Sequence, residues 1–153
     1  MSYYYHVHKG NEPSTLETFY DKNQPSYWSQ KGSFWNIVEK DMGINYYGGY
    51  REYRLHIPEE LFTESLYSYR KHPKIYRVTH NNVKEYRKLR RDFPGHIKFN
   101  KEMIRRGFTG IDATIILPPS YRYYHSSEFI LFHTNDWEPE MELVDIVVAN
   151  PKF

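Results

Sequence analysis

The chain contains no cysteine. That excludes a disulfide framework, a zinc–thiolate centre and a cysteine nucleophile, and it fits a reducing compartment. Long apolar runs are missing too. The longest, near IIL and IVVA, fall far short of the ~20 residues that a membrane-spanning helix needs. The opening segment MSYYYHVHKG has no apolar core of the signal-peptide kind, so the expected setting is cytoplasmic, with no membrane partner. Familiar catalytic signatures are absent as well. YGGY has neither P-loop nor dinucleotide-binding spacing, no GxSxG nucleophile elbow occurs, and there is no HExxH zinc helix.

What remains is a chain of 153 residues, suited to one domain over 1–153 with a real core. Apolar residues at 39% and charged residues at 26% argue against disorder. Aromatic residues are unusually many: 16 Tyr, 9 Phe and 3 Trp. Tyrosine joins a flat apolar face to a polar tip, so an excess suits wet clefts that stack planar ligands, besides ordinary core and surface positions. The net charge of +2 does not by itself imply nucleic acid, but the charge is uneven. KEYRKLRR (Lys84 to Arg91) is strongly basic, whereas DWEPEMELVD (Asp136 to Asp145) is acidic.

Patterning supplies the elements. SYYYHVH reads as a strand, with Tyr3, Tyr5 and Val7 on one face and Tyr4, His6 and His8 on the other. A short helix is expected from Ser14 to Tyr20 and a short strand over Ser26 to Ser29. A longer helix runs from the cap Ser33, through the stripe Phe34, Ile37, Val38 and Met42, to Gly43. Tyr50 to Ile57 alternates as a strand, and Pro58 is expected to open a helix over EELFTESLYSY, with Leu61, Phe62, Ser65, Leu66 and Tyr69 on one face. KIYRVTH (Lys74 to His80) is a strand. Asn81 or Asn82 caps a basic helix that carries Val83, Tyr86, Leu89 and Arg90 and ends at Pro94-Gly95. Asn100 is expected to cap a further helix through Ile104, closed by Gly107. FTGIDATIIL, EFILFHT and LVDIVVA read as strands, the last after an acidic loop. Strands and helices mix without strict β-α-β alternation, which indicates an α+β sheet rather than a doubly wound one.

Three constellations bear on chemistry. His6 and His8 share a strand face and could meet one metal or one phosphate. Two ligands fall short of a metal site, and one such pair among eight histidines is unremarkable, so no metal is expected. On the basic helix, Lys84, Arg87, Lys88, Arg90 and Arg91 suit phosphates, and Tyr86 could stack on a base; the plainer reading, which the small net charge favours, is a solvated face. These residues support a non-catalytic module that binds nucleic acid or inhibits a protein. A metal-independent ribonuclease would use two of His6, His8, His80 and His125 as acid and base, but no pairing singles two of them out.

Three segments in order also resemble the ADP-ribosyltransferase superfamily. YHVHKG (Tyr5 to Gly10) is similar to the family's opening strand, although Val7 and His8 replace the usual small pair. SYWSQKGSFWNIVEKDMG (Ser26 to Gly43) resembles the strand with an aromatic-aromatic-Ser/Thr step and the helix after it. RRGFTGIDA through SSEFILFH (Arg105 to His133) resembles the family's ending, with Thr109 where Asp is commoner and a Glu opening the last motif. The order and spacing look like the His-Tyr-Glu branch, including small phage and bacterial-toxin domains. A second alignment, starting at KIYRVTH, would make Arg77 the Arg of the Arg-Ser-Glu branch, but it leaves too little chain before Glu128 for the family's middle strands.

The resemblance implies a mixed, largely antiparallel split sheet with flanking helices. It also implies an NAD-dependent mono-ADP-ribosyltransferase, with NAD as co-substrate and a protein or nucleic-acid acceptor, acting in the host cytoplasm if phage-encoded. By position, His6 would hydrogen-bond a ribose hydroxyl of NAD, and Tyr27 would stack on the nicotinamide. Glu128 would stabilise the cationic ribose carbon, and Ser29 would brace Glu128. Tyr121, Arg122, Tyr123 and Tyr124, just before Glu128, would face the acceptor.

Overall fold

The computed structural model of the chain describes residues 1–9, 15, 25–28, 50–67, 74–116, 129–134 and 137–147. The described strands are β1 (Ser2–Lys9), β2 (Ser26–Trp28), β3 (Tyr50–Ile57), β4 (Phe62–Thr63), β5 (Lys74–Arg77), β6 (Phe108–Asp112), β7 (Phe129–Leu131) and β8 (Glu140–Val147). The helices are α1 (Val83–Asp92) and α2 (His96–Arg105). The fold is α+β and has two sheets. One is antiparallel, in the order β1-β3-β8; the other is mixed, in the order β2-β7-β6-β5-β4, with β4, β5 and β6 parallel and β7 and β2 antiparallel.

Period-two alternation builds the first sheet. Tyr53, Leu55 and Ile57 of β3 are buried, while Arg54 and His56 between them sit half-buried on the opposite face. Tyr4 and Leu55 pair directly, so they share the inward face, and Met141 continues the row on β8. These side chains meet Trp28, Ile75, Phe129 and Leu131 of the second sheet in one apolar cluster between the sheets. Ile75 and Tyr76, neighbours on β5, point to opposite sides, and Tyr76 joins the second cluster. There it packs with Tyr86 and Leu89 of α1, Phe99 and Met103 of α2, and Phe108, Ile111 and Phe132. The second sheet is thus covered on both faces, and every residue of β6 is buried. The layers run sheet, sheet, helices, and both helices lie in the crossover between parallel strands β5 and β6.

Several expectations change. Pro58 does not open a helix. Glu59–Leu61 forms a single 3-10 turn, after which Phe62 and Thr63 pair in parallel with Ile75 and Tyr76. The apolar spacing of Leu61, Phe62 and Leu66 mimics a helix face, but the long-range partner strand decides the conformation. Asn100 caps nothing: α2 begins four residues earlier, at His96, after Gly95 at φ 88°, a conformation that glycine adopts without strain. Asn82 precedes α1, yet its side chain serves the loops. Its Oδ1 accepts from the Thr79 N–H at 2.7 Å, and its Nδ2 donates to the carbonyls of Arg77 at 2.8 Å and Glu64 at 3.1 Å. The strand expected across FTGIDATIIL stops at Asp112 and turns into a 3-10 segment, while β8 starts inside the acidic stretch that reads as a loop. The helices expected over Ser14 to Tyr20 and Ser33 to Gly43 lie outside the described residues, apart from Thr15, which has no assigned secondary structure. Neither described helix is long and apolar enough to cross a membrane.

Candidate functional site

The inward face of the first sheet changes character along its length. The row Tyr4–Leu55–Met141 belongs to the apolar core. The next row is His6–Tyr53–Leu143, where Tyr53 is still buried but Leu143 is 40% exposed. The third is His8–Arg51–Ile146, with His8 and Arg51 half-buried and Ile146 44% exposed. A bulge in β8 separates the last two rows: Leu143 faces Tyr53, Asp145 faces Glu52, and Val144 is the extra residue. Such a bulge bends its strand and sharpens the local twist. In two steps the face passes from buried and apolar to half-buried and polar, with Ile146 exposed beside it.

His6 stands where the core ends. Its Nδ1 lies 3.2 Å from the Tyr27 carbonyl on β2, so it links the two sheets. Its ring centre is 5.6 Å from that of Trp28 and 6.2 Å from that of His8. A carbonyl can only accept, so Nδ1 carries the proton, and the neutral ring keeps its acceptor lone pair on Nε2. Burial pushes the His6 pKa below its ordinary value of 6.5, the neighbouring His8 adds to the shift, and the bond to Tyr27 opposes it.

On β2, Ser26 and Trp28 are buried and Tyr27, between them, is 37% exposed. Trp28 is anchored through Nε1, which donates to Ser26 Oγ at 2.8 Å. His6 therefore meets the main chain of Tyr27, while the Tyr27 ring lies on the other face of the strand. Among the described residues β2 ends its sheet. β2 pairs with β7, Tyr27 opposite Ile130 and Trp28 opposite Phe129. Ser29 and Glu128 adjoin that last pair in sequence, and both lie outside the described residues, as do Tyr121, Arg122, Tyr123, Tyr124 and His125.

The remaining sequence candidates sit elsewhere. Arg77 is held within the protein: its guanidinium bonds Glu59 Oε2 at 3.2 Å and Ser2 Oγ at 3.1 Å, approaches Asp112 at 3.6 Å and covers the Phe62 ring at 3.6 Å. That arrangement ties β1 to the second sheet. His80 is exposed on a turn remote in sequence from His6 and His8. On the basic helix, Lys84, Arg87 and Arg91 are exposed, Lys88 pairs with Asp92 at 2.7 Å, and Arg90 lies over the Phe99 ring at 4.5 Å. Tyr86 is not available to stack on a base, since it is buried against Tyr76 and Phe99.

Sequence reasoning missed Arg51 and the outer-face group around Glu142. The signal for Arg51 was present: period two places this cation on the same face as Tyr53, Leu55 and Ile57. Glu142 Oε2 accepts from Arg54 Nη2 and from His56 Nε2, each at 2.7 Å, and this pairing depends on a strand register that the sequence does not display. No family model, no curated protein and no solved structure matches the chain.

Proposed function

We propose that the chain is an NAD-dependent mono-ADP-ribosyltransferase-like protein that releases nicotinamide from NAD and transfers ADP-ribose to a macromolecular acceptor. The supporting observation is the 3.2 Å bond from His6 to the Tyr27 carbonyl. It joins the first and second family-like segments where the inward face opens, and β2 pairs there with β7, the strand that follows Glu128 in sequence. The row His8–Arg51–Ile146 supplies a half-buried cation beside that point, compatible with an anionic dinucleotide.

NAD supplies a ribose carbon whose bond to nicotinamide breaks with the electron pair leaving on the nicotinamide. His6, protonated at Nδ1, accepts a ribose hydroxyl hydrogen at Nε2, and its depressed pKa keeps it neutral for that task. The partly exposed Tyr27 ring offers a flat face at the edge of β2. Glu128 stabilises the positive charge that develops at the ribose carbon, and a fixed carboxylate does this without reorganising. Ser29 braces Glu128, which requires the β2–β7 ladder to run one pair beyond Trp28–Phe129. Residues Tyr121 to Tyr124 recognise the acceptor.

The test is to incubate the protein with labelled NAD, a protein mixture and nucleic acid, beside the Glu128→Gln variant. Nicotinamide release and label transfer that depend on Glu128 support the reading, and the labelled species names the acceptor class. A folded protein that neither binds NAD nor releases nicotinamide sinks it.

A further inference from the structure

We infer that the helix layer is a docking surface for the phosphate backbone of nucleic acid, one that grips without reading bases. The argument starts from charge segregation. Residues 83–106, the two helices and their junction, hold nine Lys and Arg against three Asp and Glu, a net +6. The whole chain is only +2, so the remainder carries −4. A near-neutral total thus conceals a strongly basic layer.

Both helices bury their apolar stripes against the same sheet, which turns their polar stripes outward together. Lys84, Arg87, Lys88 and Arg91 follow i, i+3, i+4, i+7 spacing and so form one ridge about 10 Å long on α1. Lys98 and Lys101 are exposed on α2. Of the layer's three carboxylates, Glu85 on α1 is half-buried with no ion pair among the described residues, and the other two are engaged. Glu102 is nearly buried and clamped by Arg105 and by Arg106 Nε, the latter at 2.9 Å. Those bonds, led by Arg105, hold its pKa down to about 2, so it stays ionised within its own clamp. Asp92 meets Lys88 alone. Lys84, Arg87, Arg91, Lys98 and Lys101 have no ion-pair partner among the described residues.

Stacking on bases needs exposed rings, and the rings of the two helices are withdrawn. Tyr86 and Phe99 are buried and Phe93 is half-buried. Exposed cations along one ridge, with the helices' own rings buried and the exposed Tyr67 ring only at the Arg106 end of the layer, fit a regular polyanion held chiefly by charge. The surface lies across the second sheet from His6, so it stands or falls independently of the transferase reading.

The experiment measures binding of labelled short duplexes of two unrelated sequences, and of a single-stranded RNA, by fluorescence anisotropy across salt, with polyglutamate as competitor. Five phosphate contacts on a duplex give a log–log salt slope of about −4.5, which is a loss of roughly 500-fold between about 50 and about 200 mM salt. Both duplexes are expected to bind alike. Lys84→Glu/Arg87→Glu/Arg91→Glu is expected to flatten the slope by about 2 to 3, and Lys98→Gln/Lys101→Gln, a milder change on the other helix, by about 1 to 2. Circular dichroism checks that each variant is folded. The inference is overturned by no binding at low salt, by a slope indifferent to both helix variants, by strong preference for one sequence, or by polyglutamate displacing the duplex at equal charge.

Discussion

The Tyr4 hydroxyl, wholly buried on β1, donates a 2.6 Å hydrogen bond to Asp112 Oδ2 at the end of β6. The other carboxylate oxygen accepts from the Thr114 N–H at 3.1 Å and from its hydroxyl at 2.7 Å. The Tyr4 ring stacks on Phe129 at 4.0 Å, so one side chain fastens the first sheet to two strands of the second. Burial and the negative Asp112 push the Tyr4 pKa well above its ordinary value, which keeps the hydroxyl a donor.

Replacing Tyr4 by Phe keeps the ring packing and removes the donor, leaving Asp112 Oδ2 with Arg77 at 3.6 Å. A buried acceptor stripped of its partner costs about 1–3 kcal/mol. Urea unfolding of Tyr4→Phe should show a midpoint lowered accordingly with the slope retained. An unchanged midpoint would mean that the bond contributes nothing net.

Gly110 makes a different demand. It pairs with Leu131 across β6 and β7, and a Cβ built on it would lie 2.8 Å from the Ile130 carbonyl oxygen. That oxygen is backbone, so relief requires the strands to part. Gly110→Ala should cost about 1–3 kcal/mol, as overpacking in a dense core does, read as a lower thermal midpoint. Because β7 also pairs with β2 beside His6, any NAD turnover should fall further than the stability loss alone explains. A variant as stable as the parent would show that β7 shifts freely.

How much of this was legible depended on where a single residue's partners lie. β3 was read with its true ends, because Tyr53, Leu55 and Ile57 face a core while Arg54 and His56 lie on the other face, which is a pattern local to the segment, although Glu52 is buried as well. Tyr86 shares its helical stripe with Val83 and Leu89, a signal for burial that its reading as a base-stacking ring overlooks; the ring is buried. β6 was harder: with both faces covered, Thr109, Gly110 and Asp112 are buried beside Phe108 and Ile111, and no period survives. β4 was misread as helix because only Ile75 and Tyr76, reached through the fold, make Phe62 and Thr63 extended. At the site, His6 could be chosen from its strand, but its bond to Tyr27 and the row His8–Arg51–Ile146 depend on register, which a single sequence does not carry.

His6 yields a pH prediction whose sign follows from its burial. Its folded pKa lies below the unfolded value near 6.5. Between those two values the unfolded chain holds more protons than the folded one, so stability falls as pH falls through that window and levels off below the folded pKa. The His6 ring signals, followed by NMR, should titrate below those of a free histidine. Unfolding midpoints should decline as pH drops from about 7 toward about 5, and His6→Gln, which cannot take up a ring proton there, should remove part of that decline. If the proposed role is right, NAD binding needs the neutral ring with its lone pair at Nε2, so affinity should hold to a lower pH than an ordinary histidine would allow. A His6 signal that titrates at or above 6.5 would contradict both the burial argument and the neutral-acceptor role, because a protonated ring would donate from both nitrogens and leave the ribose hydroxyl no acceptor.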